Sequence, residues 1–187
     1  EKTVQPYEIG ELDQYLFGNG THYELYKKMG AHLVTVDGVK GVYFAVWAPH
    51  AKSVSVIGEF NEWDLNADMM QRHDPMGIYT KFVPGAKEGQ LYKFCIETQN
   101  GAKIDKADPF ANYAELRPGN ASRITDISNL KWSDSSWMKK REKWDEKTNP
   151  MSIYEVHMGS WMRHPGREDE GFYTYREFAE RITEYVK

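Results

Sequence analysis

Between about residues 31 and 125 the chain alternates apolar and polar positions with a period of two. Val42, Phe44 and Val46 interleave with Tyr43, Ala45 and Trp47, and Val54 and Val56 with serines. Ile78, Thr80 and Phe82 follow Gly77, and Tyr92, Phe94 and Ile96 interleave with Lys93 and Cys95. Successive side chains of a strand point to opposite faces, so each run predicts a strand with one face in and one face out. Asp37-Gly38, Pro49, Gly58, Pro84-Gly85, Gly89 and Asn100-Gly101 supply the turns between them. Several such strands with no helical period between them predict a mainly β fold, an antiparallel β-sandwich of immunoglobulin-like size over 31–125.

The flanks follow other rules. Thr21-His22-Tyr23-Glu24 is a capping box, in which hydroxyl and carboxylate each satisfy a backbone amide of a helix start. With Gly30 as its stop, residues 1–30 read as a short helical extension. Residues 126–150 form a connector. Within it Trp137, Arg141 and Trp144 share one face of a short helix beginning after Ser133 or Asp134, and Asn149-Pro150 ends it. Residues 151–158 then predict a strand, followed by a loop rich in charge and glycine. A second capping box, Thr174-Tyr175-Arg176-Glu177, opens a helix with the apolar stripe Phe178, Ile182, Tyr185 and Val186. The βα unit over 151–187 cannot bury its faces alone and belongs in a larger α/β layer. A chain that opens on Glu1 and stops at Lys187 inside an unfinished helical pattern reads as a fragment of a longer protein.

Composition narrows the chemistry. A net charge of −4 lacks the footprint of a nucleic-acid binder. The longest apolar run, residues 42–48, falls far short of the ~20 residues of a membrane span, and no signal peptide opens the chain. The single Cys95 excludes an internal disulfide and agrees with a reducing, cytoplasmic setting. Six histidines without zinc-site spacing predict no metal, and no cofactor is expected. Gly18-Asn19-Gly20 lacks the third glycine of a dinucleotide fingerprint, Tyr23 standing in its place. Asn19-Gly20-Thr21 and Asn120-Ala121-Ser122 match the glycosylation acceptor pattern, which is incidental without a secretory signal.

The notable excess is aromatic: 8 Phe, 12 Tyr and 6 Trp, 14% of the chain. Most of these rings alternate as core residues do. Trp63 differs, because it closes the strand-end turn Gly58-Glu59-Phe60-Asn61-Glu62-Trp63-Asp64 among acidic and amide residues. It is either a packing ring or a stacking platform for a ligand with one apolar face and a wet rim, such as a pyranose. Lys93 points away from Tyr92 and Phe94, and is either a solvated surface lysine or a donor to sugar hydroxyls. Glycoside chemistry needs two carboxylates at fixed separation. Among 28 acids spacing nominates no pair, and Glu155 is as much a structural partner as a catalyst, so no catalytic residue is assigned.

Phe44-Ala-Val-Trp-Ala-Pro49, residues 54–63, Pro84-Gly85, Tyr92-Lys93-Phe94, Ala107-Asp-Pro-Phe-Ala111, Arg117-Pro118 and Ala121-Ser122 together resemble carbohydrate-binding module family 48. Residues 132–138 and 153–161 resemble the entry to a glycoside hydrolase family 13 barrel of the bacterial glucan-branching kind. The resemblance implies a β-sandwich followed by the first strand and helix of a truncated (β/α)8 barrel. It implies a parent that cuts α-1,4-glucan and moves the cut chain to a 6-hydroxyl. The nucleophile and acid/base of that family lie on later strands, so the chain alone is expected to be inactive. Its partners would be α-1,4-glucan, as glycogen or maltooligosaccharides, and the rest of the barrel, with neither nucleic acid nor membrane. Residues 151–187 left uncovered would favour self-association. Carried over position by position, the glycan contacts fall on Trp63, Lys93, Asn120 and Ser122. A second stacking tryptophan is expected just after Asn100-Gly101, where this sequence has Ala102-Lys103, so binding is expected to be weak. The sandwich motifs are shared with debranching enzymes, trehalose-forming hydrolases and a glycogen-binding kinase subunit. Gly159-Ser160-Trp161 after His157 favours the branching kind, and a stand-alone glycan-binding or scaffold module is the alternative.

Overall fold

The computed structural model describes residues 5–167 and 171–187, so residues 1–4 of the N-terminal extension and 168–170 of the charged loop lie outside it. The chain divides into two units, one ending at Lys131 and one beginning at Trp132. The first unit holds eight strands among the described residues: β1 Gly30–Val36, β2 Val39–Trp47, β3 Ser53–Gly58, β4 Gln71–His73, β5 Ile78–Pro84, β6 Leu91–Glu97, β7 Lys103–Lys106 and β8 Ser122–Arg123. They form two antiparallel sheets, one ordered β1-β2-β5-β4 and the other β3-β6-β7, with β8 pairing the start of β6. This is the sandwich that the alternation predicts. One core joins the sheets: Val42, Phe44 and Val46 of β2 and Tyr79 and Val83 of β5 with Val54 and Val56 of β3 and Tyr92 and Phe94 of β6. The Phe44 ring lies 5.1 Å from Tyr92 and 6.5 Å from Phe94, centroid to centroid. Burying each such side chain contributes about 1.5–3 kcal/mol, which is why β-branched and aromatic residues hold these positions.

The second face of the first sheet is also buried. Tyr43, Ala45 and Ile78 are covered by Ile9 and Met29, with Phe17, Leu25 and Phe82 packed beside them. Period two located the strands but left the other face outside. In β5 the marked set Ile78, Thr80 and Phe82 lies on the face opposite Tyr79 and Val83. The covering segment is α1, Glu11–Gly18, and a turn of 3-10 helix at Leu25–Lys27.

The capping box expected at Thr21 does not form. The Glu24 carboxylate pairs with Lys27, and the Thr21 hydroxyl reaches only Leu16 O, at 3.5 Å. Asp13 caps α1 instead, accepting from Gly10 N at 2.8 Å. A tertiary clamp wins over the local signal: Asp13 takes His22 Nε2 at 2.7 Å and Lys28 Nζ at 3.1 Å, and Lys28 Nζ also donates to Glu8 O at 2.6 Å. Gly30 is no helix stop. It opens β1 at φ +96, where a Cβ would press on Phe110 at 3.2 Å.

In the second unit α2, Ser135–Glu142, starts after Asp134 as predicted but stops with Lys143 as its C-cap, so Trp144 lies beyond the helix and Asn149-Pro150 does not end it; Arg141 lies 5.2 Å over the Trp137 ring. A short helix α3, Met158–Trp161, follows. The capping box at Thr174 forms and opens α4, Tyr175–Tyr185. Phe178 and Tyr185 of its stripe meet Trp161 at 5.4 and 5.5 Å, and Tyr154 lies 5.3 Å from Tyr185. The strand expected over 151–158 is not there: residues 151–157 have no strand partner among the described residues, and Met158 begins α3. A strand needs a neighbour for its amides and carbonyls, and none among the described residues supplies one. No helix of the described residues is long and apolar enough to cross a membrane.

Candidate functional site

The turn after β3 is built around one asparagine. Gly58 N donates to Asn61 Oδ1 at 2.9 Å, and Asn61 Nδ2 donates to Val56 O at 3.0 Å and to Asp68 Oδ2 at 2.9 Å. Trp63 N then returns to Gly58 O at 2.9 Å. This clamp holds Glu62 and Trp63 at φ 53 and 61, both left-handed. Side chains other than glycine, asparagine and aspartate seldom occupy that region, at a cost of about 1–2 kcal/mol each, and such strain gathers where a ring must be aimed. Trp63 is 36% exposed. Glu59 Oε2 accepts from Leu91 N at 2.8 Å and ties the turn to β6. Gly58 permits the approach, because a Cβ there would lie 2.4 Å from the Leu91 carbonyl oxygen.

Lys93 sits at that same end of the sheet. Gly58 faces Tyr92 and Ile57 faces Lys93 across the β3–β6 ladder. Tyr92 and Phe94 enter the core, so Lys93 takes the outer face with Cys95 and Glu97, opposite Asp105 and Lys103 of β7. Lys93 is half-buried, and among the described residues its ammonium has no hydrogen bond or ion pair. Farther along this face Leu65, Asn66 and Met69 lie against Ser53, Ser55, Cys95 and Lys103. Burial, then Asp105, pushes the Cys95 thiol pKa up, which keeps it protonated. After Asn100-Gly101 no ring is present: Ala102 is exposed, and Lys103 Nζ reaches Asn66 Oδ1 at 3.5 Å.

The third element is the loop before β8. Ala114 bridges Ser122, Glu115 N donates to Ala121 O at 2.9 Å, and the Glu115 carboxylate accepts from Ala121 N at 3.0 Å. Asn120 is exposed at this loop's end, beside the start of β6, with no hydrogen bond on its amide among the described residues. Ser122 departs from its expected role. It is 2% exposed, and its hydroxyl accepts from Asp108 N at 2.8 Å inside the core. The chain positions of Trp63, Lys93 and Asn120 therefore lie toward one end of the second sheet, while Ser122 is tied into the core. Asn61 and Asp108, which set this geometry, were legible only as parts of quoted motifs; Asp108 alone carries a signal, a carboxylate within the apolar run Ala107-Asp108-Pro109-Phe110-Ala111.

Residues 28–111 match the family model of carbohydrate-binding module 48, described as the isoamylase N-terminal domain. The chain is 57% identical over 179 residues to a 1,4-alpha-glucan branching enzyme of Butyrivibrio fibrisolvens, covering 96% of this chain and 28% of that one. It is 49% identical over 188 residues to that of Rhodopirellula baltica, covering 98% and 25%. The chain thus spans about a quarter of the length of the curated relatives it matches. Among solved structures, type I pullulanase from Bacillus subtilis aligns over 57% of this chain and 14% of its own, at 27% identity and TM-score 0.45. Residues 28–111 are thus similar to carbohydrate-binding module 48, in a chain similar over almost its whole length to part of 1,4-alpha-glucan branching enzymes.

Proposed function

We propose that the chain is the glucan-holding N-terminal part of a cytoplasmic 1,4-alpha-glucan branching enzyme, with Trp63 as stacking ring, Lys93 as ammonium donor and Asn120 as amide contact. The observation that carries this is Trp63 itself, 36% exposed on a clamped left-handed turn that follows β3 at the end where Gly58 faces Tyr92, the residue before Lys93. A pyranose offers one apolar face to an indole and hydroxyls at its rim to Lys93 and Asn120. With one ring instead of two, affinity falls in the weak range, since two linked contacts would multiply and one does not. In this reading residues 151–187 are the first strand and helix of a family 13 barrel, which would pair residues 151–158 with neighbours and supply catalytic residues from later strands. Met151 and Ile153, 66% and 84% exposed, favour this over a stand-alone module, which has no use for an uncovered apolar segment.

The test is titration of maltoheptaose into the chain and into Trp63→Ala, followed by tryptophan fluorescence and amide chemical shifts. The expected result is a saturable shift at Trp63, Lys93 and Asn120 that the variant abolishes. No shift in either protein would overturn the glucan reading. The chain alone is expected to leave the iodine absorption of amylose unchanged, and a change would overturn the assignment of catalysis to later strands.

A further inference from the structure

Three places in the chain set an asparagine or aspartate before a glycine: Asn19-Gly20, Asp37-Gly38 and Asn100-Gly101. Such a pair can close a ring on itself, because the glycine nitrogen reaches the preceding side-chain carbonyl carbon and no Cβ hinders it. The nucleophile is the glycine amide, which must first give up its proton. An amide already donated to a carbonyl gives it up less readily.

Two of the pairs are held in this way. Gly20 N donates to Phe17 O at 3.0 Å, and Asn19 Nδ2 donates to Tyr15 O at 2.9 Å. Gly101 N donates to Thr98 O at 2.9 Å, while Asn100 Oδ1 accepts from the Thr98 hydroxyl and from Ala102 N at 3.3 Å. Asp37-Gly38 differs. These two residues are the whole turn between β1 and β2, whose flanking pair is Val36 and Val39, so neither takes part in the ladder. Both are exposed, and among the described residues nothing hydrogen-bonds to the Gly38 amide or pairs with the Asp37 carboxylate. A Cβ at Gly38 would meet nothing within 4 Å, so a ring has room to form.

We infer that Asp37-Gly38 is a site of spontaneous aspartate isomerisation, the pair of the three that the fold leaves open. The Gly38 nitrogen attacks Asp37 Cγ, and the amide proton leaves with the carboxyl hydroxyl as water, giving a succinimide. Water then adds to one ring carbonyl and breaks its bond to the nitrogen. Breaking the Cγ–N bond restores aspartate. Breaking the bond from the Asp37 main-chain carbonyl to Gly38 N leaves the chain running through Cγ, as isoaspartate. Water lost in the first step returns in the second, so the mass is unchanged. The two-residue turn needs left-handed residues, here at φ 49 and 81, and the extra main-chain carbon of isoaspartate does not fit it. The Val36–Val39 pair then opens and the hairpin frays from its tip. The inference concerns this hairpin alone and does not rest on the glucan reading.

Storage of the chain near neutral pH, folded and in urea, with folded Asp37→Asn beside it, tests this. Asn-Gly is a dipeptide such turns favour, so the variant keeps the hairpin, and in it ammonia leaves instead of water. Isoaspartate is counted by methyl transfer from S-adenosylmethionine with an isoaspartate-specific methyltransferase, and placed by fragmentation of its peptides. Folding is expected to slow Asn19 and Asn100 by about two- to tenfold more than Asp37, the factor that one net hydrogen bond corresponds to. In the variant, position 37 is expected to lead Asn19 and Asn100 by the same factor in the folded state. Slowing at Asp37 equal to or greater than that at the two asparagines would overturn the inference, as would a folded variant in which position 37 does not lead.

Discussion

The Tyr92 hydroxyl donates to the Asp108 carboxylate at 2.5 Å, with Tyr92 1% and Asp108 6% exposed. This one bond fixes where the chain leaves β7 and turns toward β8. Asp108 Oδ1 accepts from Phe110 N at 2.8 Å, and Asp108 N donates to Ser122 Oγ at 2.8 Å. A buried carboxylate persists only when its lone pairs are met, and here a phenol and an amide meet them. Tyr92 also lies one residue before Lys93, so the network that anchors the core fixes the backbone from which Lys93 projects.

Tyr92→Phe leaves that carboxylate short of a donor and is expected to cost about 1–3 kcal/mol in urea denaturation. Burial raises the Asp108 pKa above the ordinary carboxylate value, with Tyr92 and Phe110 N opposing. The folded state therefore holds the proton more tightly than the unfolded chain. This contribution to stability is fully present below about pH 4 and is lost as pH rises through the folded pKa. Asp108→Asn retains acceptor and donor atoms without a charge. The difference in urea midpoint between Asp108→Asn and the parent should widen in favour of the variant as pH rises from 4 to 7; a constant difference contradicts this account.

The Asn61 clamp should control both the turn and its ring. Asn61→Ala removes three hydrogen bonds and is expected to cost about 1–3 kcal/mol and to release the Trp63 indole, read as a red shift in its emission. Glu62→Gly relieves a left-handed residue and should be neutral to about 1 kcal/mol stabilising, after the entropy glycine adds to the unfolded chain. A clear loss of stability in Glu62→Gly would show that the left-handed conformation carries no strain.

At the N-terminus the sign of the pH effect reverses. Burial raises the Asp13 pKa, but Gly10 N, His22 and Lys28 more than offset it, so the carboxyl titrates below the usual range. Its contribution is present above about pH 4 and is lost as pH falls through the folded pKa. Asp13 is partly open to water, so Asp13→Asn should cost only about 1 kcal/mol near neutrality, and less in acid. Amide exchange at α1 should speed up in the variant while the β2 and β6 amides stay protected. Equal acceleration everywhere would mean that the extension and sandwich unfold as one.

The sequence by itself determined the strands β2, β3, β5 and β6, the sandwich, and the helix starts at Ser135 and Tyr175. Each depends on a local rule: alternation of two, a capping box, a turn residue. It did not determine what covers the second face of the first sheet, because Tyr43, Ala45 and Ile78 read the same whether water or Met29 lies over them. The Thr21 capping box failed for the same reason, its i to i+3 reach outweighed by a clamp from Asp13 to Lys28. Ser122 looked like a polar contact and became a core acceptor once β8 was laid beside β6. Residues 151–158 have the pattern of a strand and, among the described residues, none of its pairing. Alternation decides which residues share a face, and only tertiary structure supplies what that face and the backbone between its residues meet.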